Sequence, residues 1–490
     1  MRKYFLLLFM LPAMAQGQTI ATSDELIKQV ENSLTPSVIY GDSLANGNIL
    51  QRMHEFNVKG VSIAVIKDYK IDWAKAYGWA DSIEGREANT NTRFQAASIS
   101  KSLNSLGLMR LVQDKKIDPE ADINNYLRTW KFPYDTVARD KKINVYQLLS
   151  HTAGLDIHGF PGYERSAPIP NVYQVLKGEK PANTKKVISL FEPGLKFKYS
   201  GGGTTVTQLL ISDVALMRYP DYMQLEVLSP LGMTNSSYAQ PPGDTTVLAS
   251  GHYQDGSRIA GKFHVYPEQA AAGLWTTPTD LAKYIIDCQK ALEGRSRKVL
   301  TKEFMTRRMT PYVDSNAALG VFIQKKGDRT YFNHNGSNEG FMCASYGSME
   351  GGDGLVIMTN GENFSIIEEL SNSVARVYGW KDFFKPEFKK VIKLSTEEMD
   401  RFVGSFKLQT DTLIIARCGD GLCIRQAAQG EPGFIMLFTS ADEFSITEVP
   451  SAVFKAVRNE QGLVETLEFR QNGLTIPCPR IKVQKSNHDR

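Results

Sequence analysis

The sequence contains a single Ser-x-x-Lys, Ser98-Ile99-Ser100-Lys101. On a helix, positions i and i+3 share a face, so the Ser98 hydroxyl and the Lys101 amine can approach each other. A serine is a poor nucleophile until a base takes its proton, and a lysine serves when desolvation or nearby positive charge lowers its pKa. A helix N-terminus at Ser98 adds free backbone N–H groups and a positive dipole end, which favour an oxyanion forming beside the hydroxyl. Two further stretches carry compatible chemistry. Tyr199-Ser200-Gly201 opens a glycine run where backbone can come close to a ligand, and a phenol near an ammonium can relay a proton to a leaving group. His334-Asn335-Gly336-Ser337 is the chain's one His-x-Gly and is followed by Asn338. On an edge strand beside the nucleophile, the Ser337 N–H can supply a second oxyanion donor. His334 can then bind a substrate carboxylate or polar tail, as neutral donor or as imidazolium. Taken singly, each has a plainer reading: Ser98 as a helix cap, Tyr199 as a half-buried loop aromatic, His334 as a structural imidazole.

The elements that must position these groups are legible in outline. Residues 23–32 read as a capped helix, and 61–66 and 71–78 as two strands of a hairpin around Lys67-Asp68-Tyr69-Lys70. After Ser98, Leu103, Leu106 and Met109 recur at helical spacing while Leu108, Leu111 and Val112 fill the other side, which predicts a buried helix. From about 118 to 292 helical pieces alternate with loops, the longest, 160–184, being rich in Pro and Gly. Thr277-Pro278-Thr279-Asp280 offers an N-cap, a proline at the first helical position and an acid in the first turn. Strands are expected at 319–324 and 354–359, and a helix at 366–377. Near residue 390 the pattern changes. Ser395-Thr396-Glu397-Glu398 is a capping-box helix start, and short β-type runs follow at 412–416, 422–426, 444–449, 453–457 and 464–469, joined by turns such as Gly419-Asp420-Gly421 and Asn459-Glu460-Gln461-Gly462. About a hundred residues of this kind indicate a separate small β domain, barrel or sandwich.

A chain of 490 residues exceeds one ordinary core and implies two or three domains. Its 42% hydrophobic and 22% charged content is that of a globular protein, and a net charge of +4 is too small to point to nucleic acid or a membrane surface as partner. Met1-Arg2-Lys3, the apolar run 4–12 and Ala13-Met14-Ala15 read as a secretory signal peptide, residues 1–15, too short to span a bilayer. No cysteine stands at the cleavage point, so a lipid anchor is not expected, and no later stretch reads as a membrane span. The five cysteines (Cys288, Cys343, Cys418, Cys423, Cys478) leave at least one unpaired or paired between chains. Cys418 and Cys423 can face one another across their turn, with Cys478 an alternative partner; buried thiols fit equally well. The absence of C-x-x-C and H-E-x-x-H argues against a thiol redox centre or a zinc protease.

Together, Ser-x-x-Lys, Tyr-x-x and a basic-x-Gly on a late strand, in that order, resemble the penicillin-recognising serine hydrolases. The branch most similar holds class C β-lactamases, D-alanyl-D-alanine carboxypeptidases, D-aminopeptidases and family VIII carboxylesterases. Phe94-Gln95-Ala96-Ala97 before Ser98, Gln147-Leu148-Leu149-Ser150-His151-Thr152-Ala153-Gly154-Leu155, and Ala271-Ala272-Gly273-Leu274-Trp275-Thr276-Thr277-Pro278 extend the likeness over roughly residues 22–380. The resemblance implies an α/β (α+β) β-lactamase/transpeptidase-like fold over 16–390, an antiparallel sheet flanked by helices plus a helical subdomain. The tail, 391–490, resembles the lipocalin-like β domains appended to such enzymes. The implied mechanism is acyl transfer. Ser98 attacks, Lys101 takes its proton, N–H groups of Ser98 and Ser337 hold the oxyanion, and Tyr199 serves the leaving group and then water; neither metal nor cofactor is implied. Two departures matter. The family's Tyr-x-Asn is here Tyr199-Ser200-Gly201, and its Lys-Thr-Gly is here His334-Asn335-Gly336. Both weaken the grip on a β-lactam or a D-Ala-D-Ala terminus, unless Asn338 replaces the missing amide. An exported esterase or D-aminopeptidase-like peptidase is therefore expected, acting on a small-molecule or peptide substrate, with cell-wall fragments among the candidates. The alternatives are a β-lactamase or D-alanyl-D-alanine carboxypeptidase, and a non-catalytic binding protein that kept the fold. His151 and Trp275 are expected to be structural.

Overall fold

The structure, a computed structural model, describes residues 22–481 apart from 42–45, 410, 428–432, 447–448 and 472–473. The expected leader, 1–15, lies outside the described residues. Seven strands make the central sheet: β1 (Gly60–Lys67), β2 (Lys70–Asp81), β3 (Arg86–Glu87), β4 (Phe322–Lys326), β5 (Arg329–Asn338), β6 (Phe341–Ser348) and β7 (Gly354–Thr359). Their order is β3-β2-β1-β7-β6-β5-β4, antiparallel throughout. The N-terminal hairpin thus pairs with the last strand of the domain, Ile63 opposite Ile357. Side chains alternate between two cores, as the pleat requires. Val61, Ile63 and Val65 enter one, Ala64 and Ile66 the other.

The helices that frame the site are α1 (Ser23–Glu31), α2 (Ser100–Gln113), α3 (Gly201–Ala215), α4 (Gln269–Ala272), α5 (Pro278–Leu292), α6 (Lys302–Arg308) and α7 (Ser365–Val377). α1 and α7 cover one face of the sheet through Val30, Ile366, Leu370 and Val374. α2, α3, α5 and α6 build the larger core on the other, where Leu103, Leu106, Leu209, Ile285 and Met305 are buried. α2 is enclosed on nearly every side, as its apolar circumference predicts. Thr277 caps α5 by accepting from the Asp280 N–H at 3.2 Å. The strand expected at 319–324 begins instead at Phe322. Gly320 takes φ +77° and its chain turns against α2, where an added Cβ would lie 2.5 Å from the Ser105 Cβ. The long loop 160–184 contains a short helix, Val172–Lys177, capped by Asn171 and Gln174.

The C-terminal region is an eight-stranded antiparallel sheet from β8 (Gly404–Leu408) to β15 (Leu474–Pro479), in which neighbours in sequence are neighbours in space. An isolated bridge between Phe406 and Arg480 brings β8 back to the end of β15, so the sheet curls into a near-barrel. Its core is separate from the other two and rich in phenylalanine: Phe402, Phe406, Phe438, Phe444 and Phe454. Cys418 and Cys423 form the disulfide across the Gly419-Asp420-Gly421 turn, and Cys478 is a buried free thiol. Val38–Tyr40 pairs in parallel with Glu387–Lys389 just before this region. Among the described residues no helix is long and apolar enough to cross a membrane.

Candidate active site

Ser98 lies in a 3-10 turn, Ala97–Ile99, that runs directly into α2. Ala97 holds φ +46°, a left-handed conformation that costs a non-glycine residue about 1 kcal/mol or more and persists only where packing enforces it. That packing is β5. A Cβ on Gly336 would lie 2.5 Å from the Ala96 carbonyl oxygen and 3.0 Å from the Ala97 Cβ, so only glycine lets the strand lie on the turn. One helical turn on, Lys101 is buried at 3% exposure. Its Nζ donates to Ser98 Oγ at 3.0 Å and to the Ala271 carbonyl of α4 at 2.7 Å. The pair foreseen from spacing is thus formed, and the Ala271 carbonyl is a partner that spacing could not reveal. α2 is itself pinned: Tyr238 donates to the Ser100 carbonyl at 2.6 Å, and the buried Arg308 guanidinium to the Ser102 carbonyl at 2.7 Å.

Tyr199 stands in the loop entering α3, its ring centroid 5.0 Å from Lys101 Nζ. Two histidines hold that loop. His151, buried and at φ +59°, stacks on Tyr199 at 4.3 Å between centroids, and its Nδ1 accepts from the Ser200 N–H at 3.2 Å. The His158 ring lies 4.9 Å from that of Tyr199, and its carbonyl accepts from the Gly201 N–H at 3.0 Å. Ser200 caps α3 through Gly203 and donates to the Asp156 carbonyl. The structural role expected of His151 is borne out, and it consists of positioning Tyr199. Trp275 is buried between Phe263 and Phe341, also structural.

β4 pairs with β5 only as far as Asn333, so 334–338 present a free strand edge next to Ser98. Ser337 is exposed on that edge. His334 departs from expectation. Its ring is buried, and Nδ1 lies 2.6 Å from the Asn335 carbonyl, which can only accept; the proton is therefore on Nδ1. Burial, and then the charge of Lys101, push its pKa down to about 3, so the ring is neutral and Nε2 is a bare, buried acceptor without a partner among the described residues. In this state it offers no N–H to a substrate carboxylate. Asn338 is corrected too. It is buried, and its amide donates inward to Gln95 Oε1 at 2.7 Å and to the Ala272 carbonyl at 3.1 Å, so it does not replace the missing asparagine. Nor does Gly201 reach the site. A Cβ there would lie 3.0 Å from both the His158 carbonyl oxygen and the Phe160 ring, and the loop 158–160 occupies the space that a longer side chain would enter.

Ser98, Tyr199, Gly336 and Ser337 line one cavity of about 550 Å³, and His158 and Phe322 complete its walls. Among the described residues no carboxylate lines it. His158 and His151 are also pushed below the usual histidine range, by burial first and the Lys101 charge second. The two imidazoles in the cavity wall, those of His158 and His334, are therefore neutral. His158 was missed from sequence because nothing local distinguishes it; its closeness to the Leu148–Leu155 stretch is the one available signal.

Residues 45–368 match the family model described as Beta-lactamase. A Staphylococcus aureus (strain N315) protein named Protein flp is 24% identical over 323 residues, 64% of this chain and 61% of its own length. The chain thus spans about three fifths of that relative. A putative D-alanyl-D-alanine carboxypeptidase of Salmonella typhimurium is 24% identical over 222 residues, 42% of this chain and 51% of its own. Among solved structures, the octameric penicillin-binding protein homologue from Pyrococcus abyssi superposes with a TM-score of 0.60 at 18% identity, covering 88% of this chain and 98% of that one. The D-amino acid amidase from Ochrobactrum anthropi SV3 gives 0.52 at 21% identity, covering 72% and 97%. The family match over more than half of its length, on a sheet and helices of the same fold, shows that the chain belongs to the Beta-lactamase family of serine hydrolases.

Proposed function

We propose that the protein is an exported serine hydrolase that cleaves ester or amide bonds through an acyl-enzyme on Ser98. The observation that carries this is the 3.0 Å contact between Ser98 Oγ and Lys101 Nζ, in a cavity large enough for a substrate. As the free amine, Lys101 keeps its donation to Ala271 and turns its lone pair to the Ser98 hydroxyl, taking the proton as Oγ attacks the carbonyl. The free edge at Ser337 and the turn at Ser98 supply backbone N–H groups for the oxyanion. Tyr199, beside Lys101, passes the proton to the leaving group and later draws one from water. The neutral His334 and the loop that fills the place beside Gly201 support esters and simple amides as substrates, over β-lactams or peptides ending in a carboxylate. Export rests on the leader-like residues 1–15 and on the Cys418–Cys423 disulfide, a bond of oxidising compartments.

The test is to compare p-nitrophenyl butyrate, D-alanine p-nitroanilide and nitrocefin side by side. Turnover of the ester or the anilide with little of nitrocefin is the expected outcome. A kcat/KM highest for nitrocefin would overturn the substrate assignment and leave the nucleophile untouched.

A further inference from the structure

A second cavity, about 400 Å³, opens on the face of the sheet covered by α7, and Phe364 is the one residue it shares with the cavity at Ser98. Lys326, at the end of β4, lines it. The ammonium sits 4.1 Å from the Phe383 ring centroid and 5.5 Å from that of Tyr346. Among the described residues it makes no hydrogen bond or ion pair, although most of its side chain is out of solvent, and burial depresses its pKa despite the attraction of Glu368. Glu368, in the first turn of α7, lines the same cavity; it is exposed to solvent, and its carboxylate has no polar partner among the described residues. The other two charged groups of the lining, Asp382 and Lys385, are paired with each other at 3.4 Å.

An ammonium set between aromatic rings gains from their π faces, but a desolvated cation still lacks the anion that offsets its lost hydration. Here one unpaired cation and one unpaired anion face a single cavity without closing on each other to within ion-pair distance. Apolar surface from Phe364, Phe383 and Tyr346 lies between and around them. The exposed Glu368 carboxylate is hydrated, so a purely anionic ligand would pair Lys326 but stand against the Glu368 charge. A compact zwitterion satisfies both, and a carbon side chain on it meets the rings. The volume falls within the about 300–1,000 Å³ range of small-molecule sites.

We propose that this cavity is a second binding site, for a free amino acid: its carboxylate on Lys326, its ammonium toward Glu368 and its side chain against the aromatic wall. The site is independent of the acyl-transfer reading, and its charged residues, Lys326 and Glu368, take no part in it.

The experiment uses the full-length protein with Ser98 blocked by a fluorophosphonate, which removes the first cavity as a competing site. D- and L-phenylalanine are titrated by calorimetry and by saturation-transfer NMR, with 3-phenylpropionate and phenethylamine as single-charge controls. Binding of phenylalanine is expected, at least tenfold tighter than either control, and weakened at least tenfold by Lys326→Met and by Glu368→Gln. Equal binding of 3-phenylpropionate would make this an anion site and overturn the zwitterion assignment. No binding, or binding unchanged in Lys326→Met, would overturn the site itself. Circular dichroism of each variant separates lost binding from lost fold. If the protein proves not to react at Ser98, the same titration runs on unblocked Ser98→Ala.

Discussion

The chemistry of the site comes down to how few charges it contains. Lys101 sits behind Ser98, and the imidazoles of His151, His158 and His334 are all held neutral by burial and by its charge. Neutral His158 is exposed, lines the cavity and can both donate and accept. His158→Ala is expected to raise KM for amide substrates about tenfold, the value of one good hydrogen bond, while the rate of fluorophosphonate labelling stays near wild type; His158→Gln should recover most of the loss. Equal KM values for wild type and His158→Ala on every amide tried would remove it from the substrate's path. Ser98, Lys101 and Tyr199 were legible in the sequence because their types and spacing are rare in combination. Asn338 and Gly201 were misread because spacing cannot say which way an amide turns or whether a loop fills a gap. Gln95 and the Ala272 carbonyl, distant in sequence, decide the first, and the 158–160 loop decides the second.

At the scale of elements, three pieces meet at the nucleophile: the turn before α2, strand β5 and helix α4. Gly336 is where β5 touches the turn, and Gly336→Ala forces a Cβ within 2.5 Å of the Ala96 carbonyl oxygen. It should cost about 1–3 kcal/mol of stability and, because strand and turn must separate, lower activity at temperatures where the protein is still folded. Chemical denaturation and ester kinetics on one preparation check both, and unchanged activity with unchanged stability would contradict this contact. α4 carries a different constraint. Glu268, at its N-terminus, is fully buried with both oxygens unpartnered among the described residues, and burial raises its pKa from 4.5 to about 8. The unfolded chain sheds this proton from pH 4.5 upward, whereas the fold keeps it until about 8, so the stability it contributes is full below 4.5 and drains away as pH rises to 8. Glu268→Gln should therefore match wild type near pH ~4 and exceed it by about 5 kcal/mol near pH ~9. Denaturation midpoints across pH decide, and a constant difference between the two proteins would exclude this carboxyl as the cause. Helix starts with side-chain caps, such as Thr277 and Ser395, were readable to within a residue. The strand near 320 was not, because the turn of Gly320 against α2 is a tertiary contact.

The whole molecule is three cores, two sandwiching the sheet and a third inside the C-terminal near-barrel. The change of pattern near residue 390 announced the third, while its strands Gly404–Leu408, Phe434–Phe438 and Leu474–Pro479 went unrecognised for want of clear alternation. Every residue proposed for acyl transfer lies upstream. A chain ending at residue 390 is thus expected to keep fluorophosphonate labelling at Ser98 within about tenfold while changing its ranking of substrates. A folded truncation that cannot be labelled would place the near-barrel in the catalytic machinery. The central claim is most directly tested by trapping the acyl-enzyme. Full-length protein is mixed with excess p-nitrophenyl butyrate, quenched in acid within the first turnover and read by intact and peptide mass spectrometry. A single butyryl adduct on the peptide carrying Ser98 is expected, absent from Ser98→Ala and formed at least about 10²-fold more slowly in Lys101→Met. Turnover of the ester without any adduct at Ser98, or with an adduct that survives Ser98→Ala, would contradict the account.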